Sequence, residues 1–542
     1  MLKYIALFLF LSISLQAQVE NIHVSHPVYE FLKRAETKGL IKHYSTSSLP
    51  WSKGKITDAL NLIENNSAEL TKWEKRSFER FRKEFGITQR EDAIVIPSSS
   101  EDDNVFFDDI FSQKEKFLYY YSDSVTTVKL RPLARVDMKY EDSDPESRNY
   151  TIGSLGFRLD GTIDNKLGYN LQVTNGRMIS GDRELALEDP YYSKNVKFNI
   201  LEDDIDFTES HVRYQSDWFY GSIARQYREM GSGLTQKAYI TPKSPAFDAL
   251  TLGAEFKRFK YEFILGSLLG KAKEAPFDAG FLLTIPEKYI SMHRFSITPS
   301  WGEIAFWEGV VYSRGIDLAY LNPLSFLKSL EHSLKDRDNS LMGLEATYRP
   351  FKNLQLKSTF MLDDIIFEQI GSGHFGNKFA FNAAAMYALP FSLEAGFEYS
   401  RISPFTYTHY NTKNAYTNDE MMLGSYMPPN SDKFTFLLNW WFGCRYPLEL
   451  KVSYFQHGQN IYDEEGNLIK NVGGDPLITQ TPGDDNFYTF LDGNKIFISK
   501  VELEGGIEPF RGFNLRGNVA LQSVNSEDPE LSFRLIMGIY EF

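Results

Sequence analysis

Cysteine is almost missing from this chain: Cys444 stands alone among 542 residues. A single thiol excludes a disulfide framework and any cysteine-based zinc centre. Positive charge is short as well. With 58 Lys and Arg against 72 Asp and Glu, the formal charge is −14, which argues against the basic footprint of a nucleic-acid-binding protein. A mean hydropathy of −0.35 excludes a bundle of membrane-crossing helices, each of which needs ~20 apolar residues. What is plentiful is aromatic: 43 Phe and 31 Tyr help raise aromatic residues to 15%.

The first residues read as an address. Lys3 supplies a positive start, Ile5 to Leu15 an apolar stretch, and Ala17 a small residue before Gln18. This is the pattern of a cleaved secretory signal over residues 1–17, and the apolar stretch is too short to anchor the chain in a bilayer. No cysteine lies near the cut, which excludes lipid attachment there. The mature chain is then expected outside the cytoplasm, where ATP and NAD are not dependable cosubstrates. No cofactor and no metal are expected.

Two periodicities divide the remainder. From Pro27 to Phe85 the apolar spacing is helical: Val28, Phe31, Leu32 and Ala35, then Ile56, Ala59, Leu60 and Ile63 behind a candidate N-cap, Ser52. Asn66 and Glu69 offer a capping box for a third helix carrying Leu70, Trp73, Phe78, Phe81 and Phe85. A helical bundle is expected over 18–90. The polar, acidic stretch from Ser98 to Asn104 reads as the centre of a linker over 91–114.

Beyond it, over 115–542, the period becomes two. Leu155, Phe157, Leu159 and Ile163 alternate with Gly156, Arg158, Asp160 and Thr162; after Asp164, Asn165 and Lys166 the alternation resumes through Leu167, Tyr169, Leu171 and Val173. That is a hairpin with one apolar and one polar face. Similar runs recur to the end of the chain. Either the apolar faces point inward, in a soluble sheet assembly, or outward at lipid, in a membrane barrel. Three features favour the barrel: charges and glycines crowd the polar face, tight turns alternate with long connections, and the chain closes on a strand ending in Tyr540 and Phe542. Closure leaves no unpaired edge, and the aromatic excess suits interfacial girdles. The fold class expected is mainly β, a transmembrane antiparallel β-barrel of about 16 to 18 strands with a small N-terminal α-helical bundle.

Isolated motifs say little. Gly371 to Gly376 matches G-x-G-x-x-G in letters but has neither a following helix nor a βαβ frame. The pairs Asp363–Asp364 and Asp484–Asp485 read as solvated loop carboxylates rather than calcium or glycosidase sites. More informative is a set of segments, each at the end of an alternating strand: Arg225 to Gly233, Pro245 to Asp248, Lys288 to Arg294, Tyr320 to Pro323, Asp338–Asn339 and Asp363–Asp364. With Gly39 to Ile41 before Leu49 to Ser52, and Ser403 to His409 later, these segments in this order resemble the capsule assembly Wzi family. The sequence departs from the family at Gly231, Ser232 and Gly233, where a proline is expected between the glycines.

The resemblance implies an outer-membrane barrel of about 18 strands, within the range such barrels span. Its helical bundle lies at the periplasmic end, and external loops obstruct the lumen. It further implies a non-enzymatic lectin that attaches or organises capsular polysaccharide or exopolysaccharide at the cell surface, with outer-membrane lipid as its solvent and the monomer as its state. The alternative is a channel or transporter for a small solute. Sugar binding calls for planar hydrogen-bonding groups and aromatic faces. By that chemistry the candidate contacts are Tyr407, His409, Tyr410, Asn411, Asn414 and Tyr416 in one loop, and Tyr191 and Tyr192 in another. Arg225, Gln226, Gly231, Gly233, His293, Arg294, Glu308, Asn322, Asp338 and Asn339 are expected to form a lumen network, since buried charges persist only when paired. Asp363 and Asp364 complete the family motif.

Overall fold

A computed structural model describes residues 18–86, 93–96, 108–142, 146–194, 196–197, 204–271, 273–277, 280–443 and 445–541. The signal segment, the acidic centre of the linker, Cys444 and Phe542 lie outside the described residues. Strict alternation does close into a barrel. Its eighteen antiparallel strands are β1 (Thr127–Asp142), β2 (Arg148–Ile163), β3 (Leu167–Gly181), β4 (Asp204–Gln215), β5 (Phe219–Gln226), β6 (Phe247–Phe256), β7 (Phe259–Leu269), β8 (Glu287–Ile297) and β9 (Gly302–Tyr312). They continue with β10 (Asn339–Tyr348), β11 (Leu354–Asp364), β12 (Lys378–Ala388), β13 (Leu393–Ile402), β14 (Ser431–Trp441), β15 (Pro447–Gln459), β16 (Asn494–Ile507), β17 (Phe513–Val524) and β18 (Glu530–Ile539). The ring shuts where β18 pairs with β1, from Leu531 opposite Asp142 to Ile539 opposite Ala134.

The alternation reads out as a face. On β2, Leu155 is 70% exposed and Phe157 and Ile163 point the same way, while Asp160 and Thr162 are buried inside. Leu250, Phe295, Leu344, Phe360, Phe397, Phe436, Val501 and Phe533 extend this apolar outer surface around the ring. At one end the hairpins close tightly. Asp164 and Asn165, each at φ 52°, take the left-handed conformation that short polar side chains tolerate. At the other end the connections are mostly long, the largest being 182–203, 227–246, 313–338, 403–430 and 460–493.

Three helices, α1 (Val28–Thr37), α2 (Lys53–Glu64) and α3 (Lys72–Phe85), precede the barrel. Their apolar stripes bury Phe31, Leu32, Trp51, Ile56, Leu60 and Phe81 in one core, which Trp441 of β14 joins from the barrel. Ser52 caps α2 through the Lys55 amide. The capping box of α3 is formed by Thr71 and Glu74, not by Asn66 and Glu69. Asn66 instead precedes a 3-10 turn over Ser67–Glu69, because Leu70 is extended and α3 begins a turn later. Within the expected linker, Ala93–Val95 pairs in parallel with Glu115–Phe117.

The helices dock on the short-turn end. Thr37 Oγ1 donates to Gln355 Oε1 at 3.2 Å, Lys55 meets Glu255 at 3.0 Å, and Arg80 pairs with Glu508. The tightest joint is buried. Arg34 Nε lies 2.5 Å from Glu74, its Nη1 donates to Leu393 O at 3.1 Å and sits 3.4 Å from Glu394, and Lys38 Nζ reaches Glu74 at 2.7 Å. Burial alone would raise the Glu74 carboxyl; Arg34, Lys38 and the Thr71 amide together hold it below its ordinary value. The stabilisation is thus present above the ordinary glutamate range and lost as pH falls through the lowered value.

Replacing Arg34 by Met leaves the buried Glu394 without its cation and Glu74 with Lys38 alone, which costs about 3–5 kcal/mol. Proteolysis of the folded protein should therefore release the helices in R34M while the barrel keeps its heat-modifiable migration. Equal protease resistance in the variant and the parent would contradict this joint.

Candidate functional site

The lumen is filled unevenly. Loops from the long-connection end and the segment between α1 and α2 meet inside β5 to β13. Tyr239 stacks on Trp307 of β9 with centroids 4.1 Å apart and donates to His293 O at 3.2 Å; Tyr416 donates to Tyr239 O at 2.9 Å. Arg294 spans Glu303 at 3.2 Å, Glu345 at 2.8 Å and Ser47 Oγ at 2.9 Å. Glu398 of β13 receives the amides of Leu234 at 2.7 Å, Thr235 at 2.9 Å and Gln236 at 3.2 Å, with Asn382 Nδ2 at 2.8 Å. Gly233 is required in that hairpin, since a Cβ there would fall 2.1 Å from Gln236 O. Every one of these groups is removed from water, so the network holds only because each charge has partners.

A second charged network ties the chain start to β1 to β4. Glu20 meets Lys129 at 3.3 Å and accepts from Thr162 at 2.5 Å; Asp160 meets Lys129 at 3.2 Å and Arg131 at 2.5 Å.

The expected lumen network divides between two faces. Inside lie Gln226, which accepts from Asn21 at 3.2 Å, Gly231, whose amide donates to Ser47 O at 2.9 Å, Gly233, Arg294, and Asn339, which donates to Asn414 O at 3.0 Å. Asp363 also points inward and accepts the Tyr407 amide at 2.6 Å. Period two sends the others outward. Arg225 faces outside opposite Asp248, 3.5 Å away. Asp364, after a register shift in β11, is exposed and accepts only the following amide at 2.9 Å. His293 and Glu308 are directly paired across β8 and β9 on the outer wall, 3.3 Å apart, because their neighbours Arg294 and Trp307 take the inner one.

This outer pair is covered. The connection 313–338 folds down over the wall of β8 to β10 as an external flap that includes a short helix, α4 (Leu327–Ser333). Glu308 accepts the Leu327 amide at 3.0 Å, Ser291 donates to Tyr320 O at 3.0 Å, and Phe326 stacks on Phe306. Asp338 secures the base of the flap, taking the Tyr320 hydroxyl at 2.8 Å and Arg314 at 2.5 Å. Asn322 is exposed on the flap, where its Oδ1 caps a turn through the Leu324 amide at 3.1 Å. The flap's free side is apolar: Leu318 is 81% and Leu324 82% exposed.

Most of the expected sugar contacts are sealed. Tyr407 and Tyr416 stack 5.6 Å apart in the plug core, and Tyr407 donates to Ala238 O at 3.3 Å. Asn414 is buried and donates to Arg337 O at 3.1 Å. Tyr192 is buried with its hydroxyl on Asp137 at 2.6 Å, and Tyr191 is half-buried with its hydroxyl on Glu541 at 3.2 Å. His409 is also buried, and burial pushes its ring down to about 4. Only Tyr410, 66% exposed and 4.1 Å from the His409 ring, presents an open aromatic face beside the partly exposed Asn411.

The opposite half of the lumen is wet. A cavity of about 520 Å³ runs along β15 to β18 and β1, lined by Lys451, Lys500, Glu502, Arg516, Glu530 and Arg534 among others. A neighbouring cavity of about 310 Å³ shares Asp189, Pro190, Lys243 and Arg534 with it. Apart from Asp189 and Pro190, which precede the candidate rings Tyr191 and Tyr192, these residues carried no functional signal in the sequence beyond alternation, because their convergence depends on barrel closure and on the loops after β3 and β5.

No family model matches the chain, and no curated protein matches it. Among solved structures it is similar to Wzi of Escherichia coli, an outer-membrane protein involved in group 1 capsule assembly and a carbohydrate-binding β-barrel. The TM-score is 0.57 at 10% identity, over 97% of this chain and 99% of that one. Pseudomonas aeruginosa OpdQ (TM-score 0.43, 11% identity) and Acinetobacter baumannii OccAB2 (0.44, 10%) each cover 76% of this chain and 97% of their own. At such identity the likeness to Wzi speaks to the fold: a closed barrel of the outer-membrane kind.

If the flap's free side meets hydrocarbon, a nitroxide placed at Leu318 or Leu324 in vesicles should relax with oxygen and resist an aqueous nickel reagent. The reverse preference would place the flap in water.

Proposed function

We propose that this chain is a non-enzymatic outer-membrane barrel that holds a surface polysaccharide at the cell. The observation that carries the reading is the division of the lumen: one half is closed by a plug held by buried ion pairs and hydrogen bonds, while the other keeps a polar cleft of oligosaccharide dimensions. A plug fixed by buried ion pairs suits a static binding scaffold better than a pore that must clear its path. The likeness to a carbohydrate-binding barrel, which extends over both chains almost end to end, supports the same reading.

In this arrangement the apolar outer wall meets lipid and the long connections face outward. The docked helices, residues 18–90 after removal of the signal, lie in the periplasm. The working state in this reading is the monomer; closure of β18 on β1 leaves the barrel no strand edge for a second copy to extend. Tyr410 and Asn411 offer sugar contact at the rim, with Tyr407, Asn414 and Tyr416 supporting that rim from beneath and Tyr191 and Tyr192 bracing the wet side.

A second reading, a channel for a small solute, draws on the same cavity of about 520 Å³. Planar bilayers separate the two. The intact protein should give no large, steady single-channel current, and such a current would favour the channel. In cells, deletion should leave polymer synthesis intact but shed the polymer into the medium. An unchanged surface layer would refute the polysaccharide role.

A further inference from the structure

The inner wall of β14 to β16 carries three lysines at successive inward positions. Thr435 lies opposite Ser453, and Ser453 opposite Lys500; Lys451 lies opposite Glu502. Lys433 occupies the next inward position from Thr435, so Lys433, Lys451 and Lys500 surround Ser453 on three adjacent strands, within two strand spacings or roughly 10 Å. From the plug, Lys243 and Tyr426 complete the group. Lys243 Nζ sits 4.1 Å and Lys433 Nζ 5.7 Å from the centroid of the Tyr426 ring.

The two carboxylates beside these lysines are engaged, while Glu504, opposite Glu449, makes no ion pair among the described residues. Glu502 takes Lys500 at 3.0 Å and Lys451 at 3.3 Å, and Glu449 takes Lys451 at 3.6 Å. Lys243 and Lys433 make no ion pair among the described residues. Elsewhere along the cavity carboxylates outnumber cations, and Lys139 pairs with Glu141 at 2.8 Å and Arg534 with Asp189 at 2.6 Å. Burial, and then the neighbouring Lys451, push the Lys243 ammonium below its usual value. Two ammoniums beside one tyrosine ring, with two more on the adjoining wall, repel one another until an anion joins them.

We propose that this group is a binding site for a carboxylate-bearing sugar, with Lys243 and Lys433 as the contacts, Tyr426 as the platform that sets them, and Lys451 and Lys500 as the flanking charges. The inference rests on the polysaccharide reading and narrows it to an acidic polymer. Hexuronate units fit the chemistry: each brings one carboxylate for the ammoniums. The cavity extends from this level towards Glu141, Gln522 and Glu530 at the long-connection end, the side from which a polymer would enter.

Calorimetry on the detergent-solubilised full chain tests it, with oligogalacturonate, uncharged malto-oligosaccharide and inorganic phosphate as probes. Oligogalacturonate should bind at least tenfold more tightly than either of the others and weaken as salt rises. The double variant Lys243→Gln, Lys433→Gln should lose at least tenfold, and Lys243→Arg, Lys433→Arg should retain binding. Should the double variant fail to assemble, Lys433→Gln alone must weaken binding. Equal affinity for the neutral and acidic sugars, unchanged in the variant, would overturn the inference while leaving a lectin. Phosphate binding as tight as oligogalacturonate would reduce the site to a simple anion site, and failure of oligogalacturonate to bind would overturn it outright.

Discussion

Closure governs this molecule. Once β18 pairs with β1, every strand has two neighbours, the backbone needs no water, and the outer wall is free to be apolar. The same closure turns the usual arrangement of a globular protein inside out. Leu155, Phe360 and Phe533 face outward, and the inside receives every charge that the alternating pattern cannot send elsewhere. Those charges must find partners or water, and the two halves of the lumen represent the two solutions. Around β5 to β13 the partners come from loops and from the segment after α1, as with Arg294 between Glu303, Glu345 and Ser47. Along β14 to β18 an open cavity takes the place of a plug; Lys451 and Lys500 pair with Glu502, and Lys433 makes no ion pair among the described residues.

The outer wall follows the same logic. A His–Glu pair facing hydrocarbon would be untenable bare, since an unshielded polar group at bilayer depth costs several kcal/mol. The flap over 313–338 resolves this by supplying amides to Glu308 and an apolar back to the exterior. The helices at the short-turn end are joined to the wall through Arg34 and Glu394 and to the plug through Lys33, Glu229 and Lys237, so plug, helices and wall are linked by ion pairs rather than forming separate layers.

Much of this was legible from the chain. Period-two alternation named the strands, the tight turn at Asp164 and Asn165 and the asymmetry of turns and long connections, because side-chain direction in a strand is a local property. Helical spacing named α1 to α3 for the same reason. What failed was anything that needed parity or burial in three dimensions. His293 and Arg294 look like one charged motif, yet adjacent strand residues point to opposite faces, and counting from Phe295 would have separated them. The loop from Tyr407 to Asn418 has a composition equally suited to sugar or to a plug, and only its inward course decides. The Thr71–Glu74 box was readable and stood one turn beyond the pair chosen. The lysine group was not readable, since Lys243 reaches Lys433 across nearly two hundred residues of chain.

Lumen, wall and flap all depend on the orientation of the alternating faces. With Cys444 replaced by Ser, single cysteines placed from Leu155 to Asp160 in vesicle-reconstituted protein would report it residue by residue. Positions 156, 158 and 160 should react with a water-soluble maleimide or be shielded by the plug, whereas 155, 157 and 159 should react only with a lipid-phase reagent. Uniform aqueous labelling of all six, or alternation of the opposite phase, would contradict a lipid-facing apolar wall around a polar lumen.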